Sequence, residues 1–190
     1  MTYGGFWRRF GALWLDFLVL LPLTALNIWG GVHYRLFDFY YFVPGIAFGL
    51  FYSVYLVRRY GGTPGKLMAG LRIRKPDGSE IGYREALLRY LPDAVLTAIM
   101  QVGLIYASLS MSEAEYLSLP FLERQQQLTA IAPVWYRPTY IALQIWIWSE
   151  FVVMMTNRKR RALHDFIAGT VVVVVPQSQA GAPSPARPEG

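Results

Sequence analysis

The sequence has no cysteine, and only 16% of its residues are charged, whereas soluble domains carry roughly a quarter. The missing cysteine excludes disulfides, thiol catalysis and thiolate metal sites. Only two histidines are present, and no nucleophile–base arrangement or metal-ligand cluster stands out, so we expect neither an enzyme nor a metal centre. By contrast, 54% of the residues are hydrophobic and fall in long blocks. This composition is typical of a small multi-pass membrane protein.

Four apolar segments are long enough to cross a bilayer, at approximately 10–30, 39–57, 86–107 and 134–156. They predict an all-α membrane protein with four transmembrane helices. Fourteen lysines and arginines fall on one side of these spans and three on the other. Because positive residues stay cytoplasmic, we expect both termini inside, at the cell membrane. The net charge of +6 then indicates topology and contact with anionic lipid at the cytoplasmic face, with no nucleic acid partner.

The cytoplasmic segments contain two patterns typical of strands. Leu71, Ile73 and Ile81 alternate around a Pro-Asp-Gly turn, which predicts a β-hairpin. The run of valines within Gly169–Val175 is too short to span and would be an exposed edge alone. We therefore expect it to pair with Leu71–Arg74 in a small cytoplasmic sheet.

Shorter elements complete the predicted organisation. The stretch "RRALHDFIAG" predicts a short amphipathic helix at the membrane interface. The outer loop, 108–133, predicts a surface helix that starts with a Ser112–Glu115 capping box. Residues 176–190 are rich in Pro, Ala and Ser and predict a disordered tail after a domain at 1–175.

Three carboxylates lie inside the predicted spans at a similar depth from the cytoplasm: Asp16, Asp93 and Glu150. Such residues are costly in a membrane, which favours their binding a cation or proton together. Arg9 and Arg89 lie slightly nearer the cytoplasm, on the helix faces of Asp16 and Asp93 respectively. They would hold the geometry of the carboxylates. The alternative is structural, with Arg9–Asp16 and Arg89–Asp93 as ion pairs that only lock the bundle.

Two further helix faces are distinctive. Arg89 and Asp93 continue through Thr97 and Gln101, four residues apart, as a polar stripe along the third span. In the second span, small residues recur at the same spacing, namely Gly45, Gly49 and Ser53. Such a face lets another helix approach closely, either within the chain or in a homo-oligomer.

Three separated blocks resemble a known family: "RRFGALWLDFLVL", "GGTPGKLMAGLRIRKPDGSEIGYREALLRYL" and "NRKRRALHDFIAGTVVV". They are similar to the RDD family of bacterial and archaeal membrane proteins, named for one arginine and two aspartates. The family motif falls on Arg9, Asp16 and Asp165, with Asp93 a competing position for the second aspartate, and on the block Thr63, Pro64, Gly65 and Lys66. Some members have been proposed as cation/proton antiporters. The resemblance therefore implies cation/proton exchange as an expectation for this chain. The long outer loop, the tail and Glu150 depart from the family pattern.

The resemblance also directs attention to the short helix that carries His164 and Asp165. If it dips into the interface, it brings both residues beneath the bundle, near Arg9 or Lys66. His164 is then either a proton relay or a hydrogen-bonded interfacial histidine. The Thr-Pro-Gly-Lys block lacks the spacing of a phosphate loop, so we expect no nucleotide cofactor.

Two functional hypotheses follow from these patterns. The first is a cation (Na⁺, Li⁺ or K⁺)/proton exchanger that uses the intramembrane carboxylates. The second is a non-transporting scaffold or accessory subunit that binds a protein partner or anionic lipid through its glycine face and basic loops.

Overall fold

Four long apolar helices form the bulk of the molecule, a computed structural model that describes residues 2–175. The first span is α1 (Phe6–His33); the second runs through α2 (Phe37–Leu50), a π-helical turn (Phe51–Tyr55) and α3 (Leu56–Tyr60); the third and fourth are α5 (Tyr83–Leu109) and α8 (Tyr136–Thr156). All four stretches are long and apolar enough to cross a membrane, which confirms the four predicted spans. The helices extend a few residues beyond most of the predicted limits. The shorter elements are α4 (Pro64–Met68), α6 (Glu113–Ser118), α7 (Phe121–Ile131), α9 (Leu163–Ile167), β1 (Leu71–Arg74) and β2 (Val171–Val174).

The long helices present apolar side chains outward along most of their length. Only Ala12 and Gly30 are buried in α1, and only Tyr136 and Met154 in α8. A water-soluble bundle would turn such side chains inward, whereas a lipid-facing helix keeps them on its surface. These apolar surfaces are therefore suited to contact the lipid of a bilayer.

The densest apolar core lies at one end of the bundle, which we call the motif end. There β1 pairs antiparallel with β2 in the register Leu71–Val174, which confirms the predicted pairing of these strands. The N-terminal segment runs along the other side of β2, where Gly4 N donates to Val172 O at 2.9 Å. Leu71, Ile73 and Val172 pack with Ala12 and Ala86 beneath the sheet. Three segments far apart in sequence are thus joined in one layer.

The predicted hairpin is wrong in its second arm, because residues 79–82 form no strand. The turn itself is present, since Lys75 N donates to Ser79 O at 3.0 Å. Gly82 N then donates to the Glu85 carboxylate at 2.6 Å, which caps the start of α5. The chain enters the third span directly after the turn, and β2 takes the pairing position beside β1.

The opposite end, which we call the loop end, contains α6 and α7 where the sequence predicted one surface helix. One half of the predicted capping box is present, since Ser112 Oγ accepts from Glu115 N at 3.2 Å, whereas the Glu115 side chain accepts from Gln127 Nε2 at 2.6 Å instead. Pro120 separates the two helices, because proline interrupts a helical hydrogen-bond ladder. The tail predicted over 176–190 lies outside the described residues.

Candidate functional site

Asp165 is the centre of the ionic network at the motif end, and its side chain is fully buried. Arg9 donates from Nη1 to Asp165 Oδ2 at 2.8 Å, and Arg89 donates from Nη1 to Oδ1. Ala162 N also donates to Oδ2, at 2.9 Å, because Asp165 occupies the third position of α9 and reaches back to its start. Thr170 adds a longer hydroxyl contact at 3.3 Å. One carboxylate thereby ties α1, α5 and α9 together.

The electrostatics of Asp165 favour its ionised form. Burial alone would raise the pKa of Asp165, but the charges of Arg89 and Arg9, together with the hydrogen bond from Arg9, outweigh it and hold that pKa well below its usual range. Both carboxylate oxygens already accept hydrogen bonds from the chain. Asp165 therefore acts as a fixed anion between two arginines.

His164 extends the network to α8. Arg89 Nη2 lies 2.7 Å from His164 Nε2, and because a guanidinium can only donate, Nε2 is the acceptor. The proton then sits on Nδ1, which contacts the carboxylate of Glu150. Glu150 also accepts from His164 N at 3.0 Å. Burial, together with the charge of Arg89, lowers the pKa of His164, in agreement with a neutral ring.

The connection between α8 and α9 is held by Asn157. Its Nδ2 donates to Val153 O at 2.5 Å and to Arg161 O at 2.7 Å, while its Oδ1 accepts from Arg161 N at 2.8 Å. Arg161 in turn donates to Asp165 O at 2.7 Å. This turn fixes the position of α9 and therefore of His164 and Asp165.

Asp16 forms a second cluster, separate from Asp165. Tyr52 Oη donates to Oδ1 at 2.5 Å, Thr63 Oγ1 donates to Oδ2 at 2.6 Å, and Gly65 N donates to Oδ1 at 2.7 Å. Lys66 Nζ lies 3.4 Å from Thr63 Oγ1, at the edge of the cluster. The Thr63–Lys66 block of the motif thus serves to bind the α1 aspartate.

Gly65 explains why this block contains a glycine. A Cβ added there would overlap the carbonyl oxygen of Ala12 and the backbone nitrogen of Asp16, and would lie 2.7 Å from the Asp16 carboxyl carbon. Only a residue without a side chain lets the backbone of α4 approach α1 so closely. Pro64 starts α4 at a position where proline costs no hydrogen bond.

Asp93 has a different environment. It makes no hydrogen bond or ion pair with another residue between 2 and 175. It lines a cavity of about 410 Å³ between α1, α2 and α5, together with Asn27, Thr97 and Gln101. The cavity is otherwise apolar. Asp93 is therefore an accessible carboxylate within a span.

The proposed pairs Arg9–Asp16 and Arg89–Asp93 are wrong, since both arginines bind Asp165. The expected meeting of Asp16, Asp93 and Glu150 around one pocket is also absent from the contacts of residues 2–175: Asp16 and Glu150 are bound by different neighbours, and Asp93 by none. In those residues no group of three or more acids and histidines is placed to hold a metal ion. Helix spacing reveals shared faces on one helix and cannot reveal a partner from another.

The small-residue face of the second span is used within the chain at one position. A Cβ at Gly49 would overlap the hydroxyl of Tyr90, so α5 covers the face there. Close packing at Gly45 involves Tyr41 of the same helix. The homo-oligomer predicted through Gly45, Gly49 and Ser53 stays a prediction.

Sequence reasoning missed Tyr52, Thr170 and Ala162 as site residues. Thr170 Oγ1 accepts from Arg89 at 2.5 Å, and it is fully buried just before β2. A polar residue directly before five valines was the available signal, because a strand in a core seldom begins with an unpartnered hydroxyl. Tyr52 carried no such signal among the other aromatics of its helix.

The comparison with known families identifies the family of this chain. The model of the RDD family matches residues 3–169, which contain both aspartate clusters and the arginines of α1 and α5. Of the two adjacent arginines, Arg9 and not Arg8 contacts an aspartate among residues 2–175, and that aspartate is Asp165. No curated protein and no solved structure matches the chain. Since the family match spans nearly the whole chain, this multi-pass membrane protein belongs to the RDD family.

Proposed function

We propose that the protein exchanges a monovalent cation for a proton across the membrane, with Asp93 as the exchanging carboxylate and no enzymatic activity. The basic motif end faces the cytoplasm in this proposal, in accordance with the distribution of lysine and arginine. Carboxylates within membrane spans that face a cavity are candidate proton and ion sites.

The main support for the proposal is that Arg89 binds Asp165 and not Asp93. Arg89 precedes Asp93 by one helical turn, so the two residues share a face of α5 and could pair. Instead, Arg89 donates to Asp165, Thr170 and His164. Asp93 is left without a protein cation and exposed to the cavity.

The surroundings of Asp93 suit a small hard cation. Asn27, Thr97 and Gln101 also line the cavity and carry the oxygen ligands that such ions prefer. In the exchange step the Asp93 O–H bond breaks, the proton leaves toward one side, and the carboxylate takes a Na⁺ or Li⁺ ion in its place. Charge is conserved, because one positive charge replaces another.

Glu150 and His164 supply a proton route toward the motif end. Both lie close enough to Asp93 to interact with it electrostatically. In this route Glu150 accepts the proton that leaves Asp93, and the Nδ1–H of His164 holds the Glu150 carboxylate in place while Nε2 stays bound to Arg89. In this scheme Asp16 and Asp165 position the bundle and bind no transported ion, which differs from the role that the sequence suggested for Asp16.

The test is flux through purified protein in proteoliposomes that carry a pH gradient and a fluorescent pH indicator. Addition of Na⁺ or Li⁺ outside should dissipate the gradient, and Asp93→Asn should remove most of that signal. Glu123→Gln, in the exposed first turn of α7, is the matched control and should retain it. Equal flux in Asp93→Asn and the unaltered protein would refute the assignment.

A non-transporting scaffold is the second candidate, and one observation favours it. Both motif aspartates are bound by several donors of their own chain, as expected of residues that fix a shape. A stable complex with another membrane protein in native membranes, combined with absence of cation-dependent flux, would favour this role.

A further inference from the structure

We propose that a groove at the motif end binds the headgroup of an anionic phospholipid. The groove has a volume of about 830 Å³ and lies between the start of α1 and the end of α8. We call it the arginine groove; its lining residues used below are Gly5, Trp7, Arg8, Met155, Arg158 and Arg160. It is separate from both aspartate clusters and from the Asp93 cavity.

Within the described part of the chain, the charged residues of the groove are all basic. The side chains of Arg8, Arg158 and Arg160 make no hydrogen bond or ion pair with any residue in the described range 2–175. Arg8 directly precedes Arg9 in the first turn of α1, yet it lines the groove while Arg9 binds Asp165. Guanidinium groups match phosphate oxygens in both geometry and charge.

The apolar residues of the groove fit a lipid rather than a free anion. Trp7 is 79% exposed and Met155 is 65% exposed, and both lie beside the arginines. Two membrane spans begin and end at this point, so these side chains are at the level where headgroups meet acyl chains. Tryptophan at a span end is typical of that interface. The volume suits a headgroup and the first part of its chains.

The lining also discriminates between headgroups. Among residues 2–175, the lining contains no aspartate or glutamate that could pair with a choline or ethanolamine. Lipids with a net negative charge, such as phosphatidylglycerol, therefore match the groove better than zwitterionic ones.

The backbone near Arg160 supports a built site. Arg160 adopts φ +49°, a left-handed conformation that non-glycine residues rarely take. Asn157 enforces it by binding the chain on both sides of the turn. The Arg160 guanidinium then rests against Gly5, where an added Cβ would overlap Nη1. Strained residues held in this way often serve a binding role.

The experiment measures retained lipid on the full-length protein by native mass spectrometry, after reconstitution with equal amounts of phosphatidylglycerol and phosphatidylcholine. The unaltered protein should retain phosphatidylglycerol preferentially. The double variant Arg8→Gln/Arg160→Gln should lower that preference about tenfold, since each guanidinium in the groove contacts the phosphate directly and contributes severalfold through charge-assisted hydrogen bonds. Arg59→Gln/Arg84→Gln removes the same charge from two exposed positions outside the groove and should leave the preference within about twofold.

Three outcomes would overturn the proposal. An equal loss in both double variants would show a general surface attraction. Displacement of the lipid by millimolar glycerol phosphate would assign the site to a free anion. Unchanged lipid retention with an altered monomer–dimer distribution would assign the groove to a second copy.

A second variant keeps the test informative if the double variant does not fold. Gly5→Ala retains every charge, and its backbone φ of −69° suits alanine. The added Cβ would displace only the flexible end of Arg160, so the fold should persist. Phosphatidylglycerol retention should still fall severalfold, and full retention in this variant would contradict the proposal.

Discussion

The two ends of the bundle both depend on buried arginines, but the arginines bind different partners. At the motif end, Arg9 and Arg89 bind the carboxylate of Asp165. At the loop end, Arg124 donates to the carbonyl oxygens of Gly31 and Val32 at 3.2 and 3.0 Å, where α1 terminates. One end pairs full charges, and the other places a cation against the negative end of a helix dipole.

The loop end contains a second example of the same arrangement. Arg35 donates to the carbonyl oxygens of Ser108 at 3.1 Å and Met111 at 3.0 Å, at the end of α5. Tyr116 supports Arg124, since its ring lies 4.6 Å from the guanidinium and its hydroxyl donates to Gly31 O. Carbonyl groups that a helix leaves unpaired thus define the sites for these arginines. Loss of such an arginine leaves neutral dipoles, whereas loss of Asp165 leaves two unpaired cations.

The comparison therefore predicts its largest effect at Asp165. In Asp165→Asn, Arg9 and Arg89 stay buried without a counter-charge, which should cost about 3–5 kcal/mol of stability. The measurement is thermal unfolding of the purified protein in detergent. Glu123→Gln, which changes an exposed carboxylate at the loop end, should alter stability by less than about 0.5 kcal/mol. Equal shifts for both variants would show that the ionic network does not stabilise the fold.

The next effect concerns the close approach of α4 and α1. Gly65→Ala should destabilise the protein by about 1–3 kcal/mol, because the new Cβ meets backbone atoms that cannot move aside easily. Gly11→Ala is the matched control, since a Cβ there meets nothing within 4 Å. This control should be neutral or slightly stabilising, as alanine favours helix. The same unfolding assay distinguishes them, and a neutral Gly65→Ala would contradict the packing.

A comparable test at the loop end uses Arg124. Arg124→Gln should cost about 1–2 kcal/mol, because several hydrogen bonds to carbonyl oxygens at the end of α1 are lost. Arg137→Gln removes the same charge from an exposed position in the first turn of α8 and should have little effect. If Arg124→Gln lowered stability as much as Asp165→Asn, the distinction between the two ends would be wrong.

The smallest expected effect is a pH dependence from His164. Its pKa is lowered in the folded protein by burial and by Arg89, whereas the unfolded chain titrates near its ordinary value of about 6.5. The unfolded state therefore binds more protons as pH falls, and stability present above about pH 6.5 should be lost toward pH 5. His164→Gln should flatten this slope in thermal unfolding between pH 5.5 and 8. His33→Gln, at the loop end, should preserve it.

Local patterns were sufficient to predict much of the fold. Continuous apolar runs gave the four spans, and the valines before Pro176 gave the strand that pairs with Leu71–Arg74. The Ser112 cap was predictable because its partner is three residues away. In each case the physical cause lies within one helix, one strand or one turn.

The partners in the candidate site were less predictable, because they come from distant parts of the chain. The spacing of Arg9 and Asp16 suggested a pair on one helix, but Arg9 binds a residue 156 positions later. Placement of Asp165 beneath the bundle came from the family resemblance, not from periodicity. The second arm of the hairpin failed because the residues after the turn form the start of α5, where Gly82 N donates to the Glu85 carboxylate, and an alternating pattern does not show this.

The order of synthesis gives the Asp165 network a further consequence. Arg9 and Arg89 leave the ribosome long before Asp165, and β2 is made after all four spans. An incomplete chain thus carries two cationic side chains that water and lipid phosphates must accommodate at the bilayer surface. Insertion of the helices alone cannot close the motif end; the fold is completed only after Asp165 and the valines of β2 have been synthesised and pack against β1.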